Sequence, residues 1–180
     1  MTQLFGKPLV TQDAMRARVK ELGKDITHDF QGKDLVLVGI LKGAFAFYAD
    51  LVRAIRLPVT VDFMIVKSQQ NQRKVLGKVK VVTDLTEEVK GRDVLIVEDI
   101  VDSGVTVQYL TKLLSKRKPK SLSVCALLSK PARRQIDVNV EYIGFEIPNH
   151  YVVGYGLDHQ QQYRNLPYLA VLDPQSVRDE

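Results

Sequence analysis

Glu98, Asp99 and Asp102 place three carboxylates within five residues, at the end of the apolar run Val94-Leu95-Ile96-Val97. Ser103, Gly104, Val105 and Thr106 follow at once. A turn of small and hydroxyl residues before a helix presents backbone N–H groups and the positive end of the helix dipole, which is a cradle for anions. Gly104 allows close backbone approach or a positive φ. Acids and phosphates repel, so crowding both into one loop asks for a division of labour. Spacing alone leaves two readings open. One is a ligand site at the carboxyl end of a strand; the other is a plain Asp/Ser/Gly turn with an N-cap and no ligand. Lys130 after its strand reads alone as an exposed cation, and Tyr151 in Tyr-Val-Val-Gly-Tyr as a core aromatic. His28, His150 and His159 show no metal-ligand spacing, and His150 reads as a surface-loop residue, with pocket lining as the alternative.

The elements that position these residues follow from periodicity. Met15, Val19, Leu22 and Ile26 recur at helical spacing, which predicts a helix over about 13–29. Leu35–Ile40 is a short buried strand, leading into Leu41-Lys42-Gly43. A helix is expected over 44–55, with Phe45, Tyr48, Ala49 and Val52 on its apolar face. Strands are expected at 59–66, 78–83, 93–97 and 122–128, a helix at 106–116, and short late strands at 142–145 and 151–153. Residues 67–78, Lys-Ser-Gln-Gln-Asn-Gln-Arg-Lys-Val-Leu-Gly-Lys, are polar and aperiodic and read as a long mobile loop of functional kind. Alternating strands and helices predict an α/β fold, a mainly parallel central sheet flanked by helices on both faces.

The 180 residues suit a single domain over 1–180, and 45% hydrophobic residues support a core. The core is expected at about 34–130, with a small hood from about 1–12 and 131–180. No apolar run approaches the roughly 18 residues of a membrane span, and the N-terminal residues lack a signal-peptide apolar block. Cys125 is the only cysteine, so no internal disulfide forms; it reads as a buried small hydrophobe. A cytoplasmic protein without membrane partners is expected. The net charge of +5 and pI near 9.3 suit nucleic acid or a highly phosphorylated small substrate equally. The one dense basic run, Lys116-Arg117-Lys118-Pro119-Lys120, sits where a helix C-terminus favours cations.

The run Val97-Glu98-Asp99-Ile100-Val101-Asp102-Ser103-Gly104-Val105-Thr106 resembles the phosphoribosyl diphosphate (PRPP) motif of the type I phosphoribosyltransferases, in wording closest to their hypoxanthine-guanine branch. The resemblance extends along most of the chain. Val38-Gly39-Ile40-Leu41-Lys42-Gly43 matches the branch's diphosphate loop, and Ser129-Lys130 follows its strand. Gly144–Pro148, Tyr151–Tyr155, Leu157-Asp158 and Arg164 match its purine-binding tail.

The resemblance implies transfer of ribose 5-phosphate from PRPP to N9 of a 6-oxopurine, hypoxanthine and also guanine, with release of diphosphate, in purine salvage. It implies Mg²⁺ as cofactor, with Glu98, Asp99 and Asp158 as its carboxylates. Glu98 and Asp99 would also meet the ribose hydroxyls, and Ser103, Gly104, Val105 and Thr106 the 5′-phosphate. Asp102 would face purine N7, as general acid/base or as an orienting group. Leu41, Lys42, Gly43 and Arg164 would hold diphosphate, and the Leu41–Lys42 bond can be cis in this family. Lys130 would donate to the 6-oxo group, Tyr151 would stack on the ring, and Val152 and Asp158 would complete the purine site. One departure stands out: the loop's usual Ser-Tyr pair is here Ser68-Gln69, which removes an aromatic shield. A homodimer or homotetramer is implied. The alternative is a PRPP-sensing regulator on the same fold that binds nucleic acid; the full purine and diphosphate set argues against it, and a nucleic-acid partner is not expected.

Overall fold

The computed structural model describes the backbone of residues 4–69 and 78–172 and the side chains of 7–67 and 79–172. The chain runs β1 (Leu4–Val10), α1 (Gln12–Asp29), β2 (Leu35–Leu41), α2 (Phe45–Ala54), β3 (Thr60–Gln69), β4 (Lys78–Thr83), β5 (Asp93–Val101), α3 (Val105–Ser115), β6 (Ser121–Ser129), a 3-10 turn (Pro131–Arg133), β7 (Tyr142–Glu146), β8 (Val152–Val153) and β9 (Leu169–Leu172). Six strands form the central sheet in the order β4-β3-β2-β5-β6-β7. All neighbours are parallel except β3 and β4.

Alternation along the central strands sorts the core into two layers. Leu35, Leu37, Leu95, Val97, Cys125 and Leu127 pack against α1 and α2. Val36, Val38, Val94, Ile96, Val124 and Ala126 pack with Val107, Leu110 and Leu114 of α3. Helices therefore cover both faces, which is why these strands read as continuous apolar runs. Cys125 is fully buried within the first layer, as a small hydrophobe.

The β2-α2-β3 crossover moves the chain one way across the sheet, and β5, on the other side of β2, begins the opposite direction. The reversal lies between β2 and β5. The crevice outside the carboxyl ends of strands at such a reversal is where α/β sheets bind ligands. Here it opens between Leu41-Lys42-Gly43 and the acidic end of β5.

Two expectations need correction, and the late strands, found where expected, gain a sheet assignment. The buried face of α2 is Phe47, Tyr48 and Leu51, preceded by buried Ala44; Phe45 and Ala49 are exposed. Tyr48, common to both faces, donates its hydroxyl to the Leu37 carbonyl at 3.0 Å and packs its ring against Phe63 at a tilt of 54°. The polar stretch begins later than expected, because Ser68 and Gln69 pair in β3 with Val79 and Lys78 of β4. Their side chains, and all of residues 70–77, lie outside the described residues. The late strands belong to two sheets: β7 closes the edge of the central one, whereas β8 joins an antiparallel three-stranded sheet in the order β1-β9-β8.

The basic run after α3 is partly neutralised within the chain. Arg117 donates to both carboxylate oxygens of Asp84 at 2.6 and 2.7 Å, and the Lys120 ammonium stands 3.9 Å from Asp93. Among the described residues, no helix is long and apolar enough to cross a membrane.

Candidate active site

β5 is longer than its apolar run suggests, carrying Glu98, Asp99 and Val101 as strand residues. Adjacent strand side chains point to opposite faces. Glu98 lies opposite Ala126 of the α3 layer and is 4% exposed. Its Oε1 is buried without a hydrogen-bond partner, and burial, reinforced by the neighbouring Asp99 charge, pushes its carboxyl well above the ordinary range. Asp99 points the other way, into a half-open cavity of about 470 Å³. Burial raises its carboxyl to about 6, against hydrogen bonds from the Ile100 and Asp99 amides and the charge of Arg164, with the Asp158 charge adding to the rise. The residue as a whole is only partly covered, so part of its surface stays open to the cavity.

The turn after β2 abuts this carboxylate. A Cβ on Gly43 would fall 1.5 Å from Asp99 Oδ2, so no larger residue fits there without displacing the acid. The Leu41–Lys42 peptide is cis. The Lys42 ammonium donates to Gln161 Oε1 at 3.4 Å, and Arg164 donates to the same oxygen at 3.2 Å. Arg164 also pairs with Asp158 at 2.7 Å and donates to the Gly156 carbonyl at 2.7 Å. Gln161 in turn donates its amide to Asp158 Oδ2. Lys42, Arg164 and Asp158, far apart in sequence, thus meet through Gln161.

The same cavity is lined by Asp99, Asp102, Lys130, Tyr151, Val152 and Asp158. Arg133 and His150 also line it. The Asp102 carboxylate accepts from Arg133 Nε at 3.1 Å, and the Lys130 ammonium lies 4.0 Å from its other oxygen. Lys130 is only 7% exposed. Burial lowers its ammonium pKa, Asp102 opposes that, and Arg133 adds to it. Arg134 ties the strand ends together, donating to the Asp102 carbonyl at 3.1 Å and to Ser129 Oγ at 2.9 Å. The Tyr151 ring is 46% exposed. It meets His159 edge-on at 5.5 Å, and its hydroxyl donates to the Asp158 carbonyl at 3.2 Å.

One step beyond Asp102, Gly104 caps α3 with φ 88°, a left-handed conformation that glycine adopts without the Cβ penalty. The first intrahelical bond of α3 runs from the Gln108 amide to the Gly104 carbonyl, so the amides before it are oriented outward by helix geometry. Ser103 Oγ stands 3.5 Å from the Val105 amide, and Thr106 lies in the first turn. This cradle is separate from the carboxylate cavity.

The fold therefore gathers most of the residues singled out from sequence around one crevice. Glu98 is the exception, lying under the cavity floor rather than on its wall. The contacts of Arg133, Gln161 and His159 were missed; each lies within three residues of a singled-out position (Lys130, Asp158, Arg164), but no local pattern marks the contacts themselves.

The sequence pattern of the phosphoribosyl transferase domain matches residues 7–160. The chain belongs to the phosphoribosyltransferase family. Among relatives of this phosphoribosyltransferase, the Escherichia coli (strain K12) hypoxanthine phosphoribosyltransferase is 48% identical over 164 residues, covering 90% of this chain and 92% of the relative. The Bacillus subtilis hypoxanthine-guanine phosphoribosyltransferase is 45% identical over 168 residues, 93% of each chain. A crystal structure of a Bacillus anthracis hypoxanthine-guanine phosphoribosyltransferase superposes with a TM-score of 0.91 at 42% identity, covering 95% of this chain and all of that one. The chain spans only 26% of the bifunctional TilS/HprT protein of Listeria monocytogenes, to which it is 44% identical.

Proposed function

We propose that the chain transfers the 5-phosphoribosyl group of PRPP to N9 of a 6-oxopurine, hypoxanthine and also guanine, releasing diphosphate. One observation carries this reading. A single crevice at the reversal of the sheet combines a carboxylate cavity with a cationic turn on one side and an amide cradle one step beyond. Acids and phosphates then occupy different subsites. The 5′-phosphate lies against the amides and hydroxyls of Ser103–Thr106, and diphosphate against Leu41, Lys42, Gly43 and the Arg164 fork.

Asp99 accepts from the ribose hydroxyls, and its negative field favours the oxocarbenium-like charge that grows as diphosphate departs. Glu98 supports it from beneath. One feature fits a hard cation at the cavity wall: the raised carboxyl of Asp99, which a cation beside it and Asp158 would relieve. Among the described residues no three His, Cys, Asp or Glu side chains converge into a cage, which suits Mg²⁺, an ion that keeps waters and takes one or two carboxylates plus phosphate oxygens. Asp99 and Asp158 are its side-chain contacts in this reading, with Glu98 behind them. Bound Mg²⁺ would neutralise charge developing on the leaving diphosphate.

Tyr151 stacks on the purine, Lys130 donates to its 6-oxo group, and Val152 and Asp158 meet its edge. Asp102 faces N7, moving or holding the proton as N9 is bonded. Its carboxylate is engaged by Arg133 in the structure, so the guanidinium must yield as the base arrives. The enzyme works as a homodimer or homotetramer in the cytoplasm. The test is nucleotide formation from PRPP, Mg²⁺ and one base at a time. Turnover with hypoxanthine and guanine but not adenine is expected; none with any 6-oxopurine refutes the reading.

A further inference from the structure

A second cavity, of about 520 Å³, lies between α1, α2 and the chain at Tyr155 and Pro167. Its volume is that of a small-molecule site. Four cations line it: Arg16 and Lys20 from one face of α1, and Arg53 and Arg56 from the end of α2. The one carboxylate among them, Asp50, is already engaged by the Arg53 guanidinium and by the Tyr155 hydroxyl. Arg16 reaches only Asp13, at 3.9 Å, where both side chains are largely exposed and water screens the pair. Among the described residues, the side chains of Lys20 and Arg56 have no ion-pair partner. The walls are fixed rather than adaptable. Tyr155 is held through its hydroxyl and through its amide, which donates to the Leu166 carbonyl at 2.8 Å, and Arg53 is held by Asp50.

We propose that this cleft binds the polyphosphate group of a small molecule, at a site distinct from the amide cradle of Ser103–Thr106. Three of its four cations are guanidiniums, whose planar forks match phosphate oxygens two at a time. The surplus of positive charge within a bounded volume favours a compact polyanion over an extended one. The inference does not depend on the catalytic reading, because none of its residues belongs to that crevice.

The test is calorimetric titration of the full chain, without Mg²⁺, with inorganic tripolyphosphate and separately with adenosine triphosphate. The two ligands distinguish a bare polyphosphate from a nucleotide. Two binding events are expected. The pair Arg16→Glu and Lys20→Glu should weaken one event by about tenfold or more, while Ser103→Ala and Thr106→Ala combined with Arg164→Ala weaken the other, which belongs to the catalytic crevice. Both events should weaken with salt. Arg16→Gln with Lys20→Gln, checked for an unchanged thermal midpoint, gives the same readout if charge reversal impairs folding. A single event abolished by the Ser103, Thr106 and Arg164 changes, or two events indifferent to Arg16 and Lys20, overturns the proposal.

Discussion

Asp99→Asn should make the ligand-free protein more stable at neutral pH while impairing its use of PRPP. The carboxyl titrates near 6 in the folded chain against an ordinary 3.8. Folding therefore takes up a proton between those two values. Stability falls as pH rises through that window and stays lowered above it, because the unfolded chain is the better host for the anion. The full difference corresponds to about 3 kcal/mol. Asp99 is partly solvent-accessible, so about 1.5–3 kcal/mol is the expected gain from a neutral isostere. Asn keeps an oxygen to accept from the Ile100 amide, a bond of 2.7 Å in the structure. For a chain of this size that gain raises the midpoint by roughly 4–10 °C. The assay is differential scanning calorimetry in chelator, at about pH 7.5 and about pH 4.5; at the lower pH the advantage should shrink to about a third. An Asn variant that is less stable at neutral pH, or equally stabilised at both, refutes the idea that a desolvated carboxylate is held there against its preference. The same variant should show much weaker PRPP binding by titration with Mg²⁺ present.

Gly43→Ala forces a methyl to within 1.5 Å of Asp99 Oδ2, and kcat/KM should fall about 100-fold, as expected when reacting groups move by an ångström; wild-type kinetics would show that the turn yields freely. Asp102→Asn should lower kcat by about 10²–10⁴ with PRPP affinity retained, and unchanged turnover would remove the acid/base role. Lys130→Met, a similar length without charge, should cost about 10–100-fold in kcat/KM for hypoxanthine and narrow its margin over adenine; an intact margin would place oxopurine selection elsewhere.

The legible parts of this molecule are those with a local signal. Leu35–Leu41, Asp93–Val97 and Ser121–Ser129 read as strands because burial on both faces makes them continuously apolar. The register of α2 was harder, since Phe45 through Val52 is apolar nearly all round and supports two overlapping faces. Burial of Phe47 and Leu51 separates them, Tyr48 lies on both, and no periodicity encodes its bond to Leu37. The pairing of β1 with β9 joins residues such as Leu4 and Leu172, at opposite ends of the described chain, and leaves no local trace. In the site, Asp99, Asp102 and the cradle were visible through their spacing, whereas Lys130, Tyr151 and Arg164 drew meaning only from family resemblance. Gln161 and Arg133 act through contacts that only the folded chain brings about. The opposite orientations of Glu98 and Asp99 follow from strand alternation, once β5 is known to continue through them.

The small sheet has a consequence for the order in which the molecule is made. Val152, at the wall proposed to meet the base, pairs with Val171, and Phe5 pairs with that same Val171. The strand that carries Val152 is thus knitted through β9 to β1. On a ribosome, the turn after β2, the acidic end of β5 and the cradle of α3 can fold together once about residue 130 has emerged, since domains consolidate as they are synthesised. The wall that carries Val152 waits for β9, and until then β1 lacks the strand it pairs with in the folded molecule. A nascent chain would complete the turn, the acidic strand end and the cradle first, and the Val152 wall only once residue 172 has emerged.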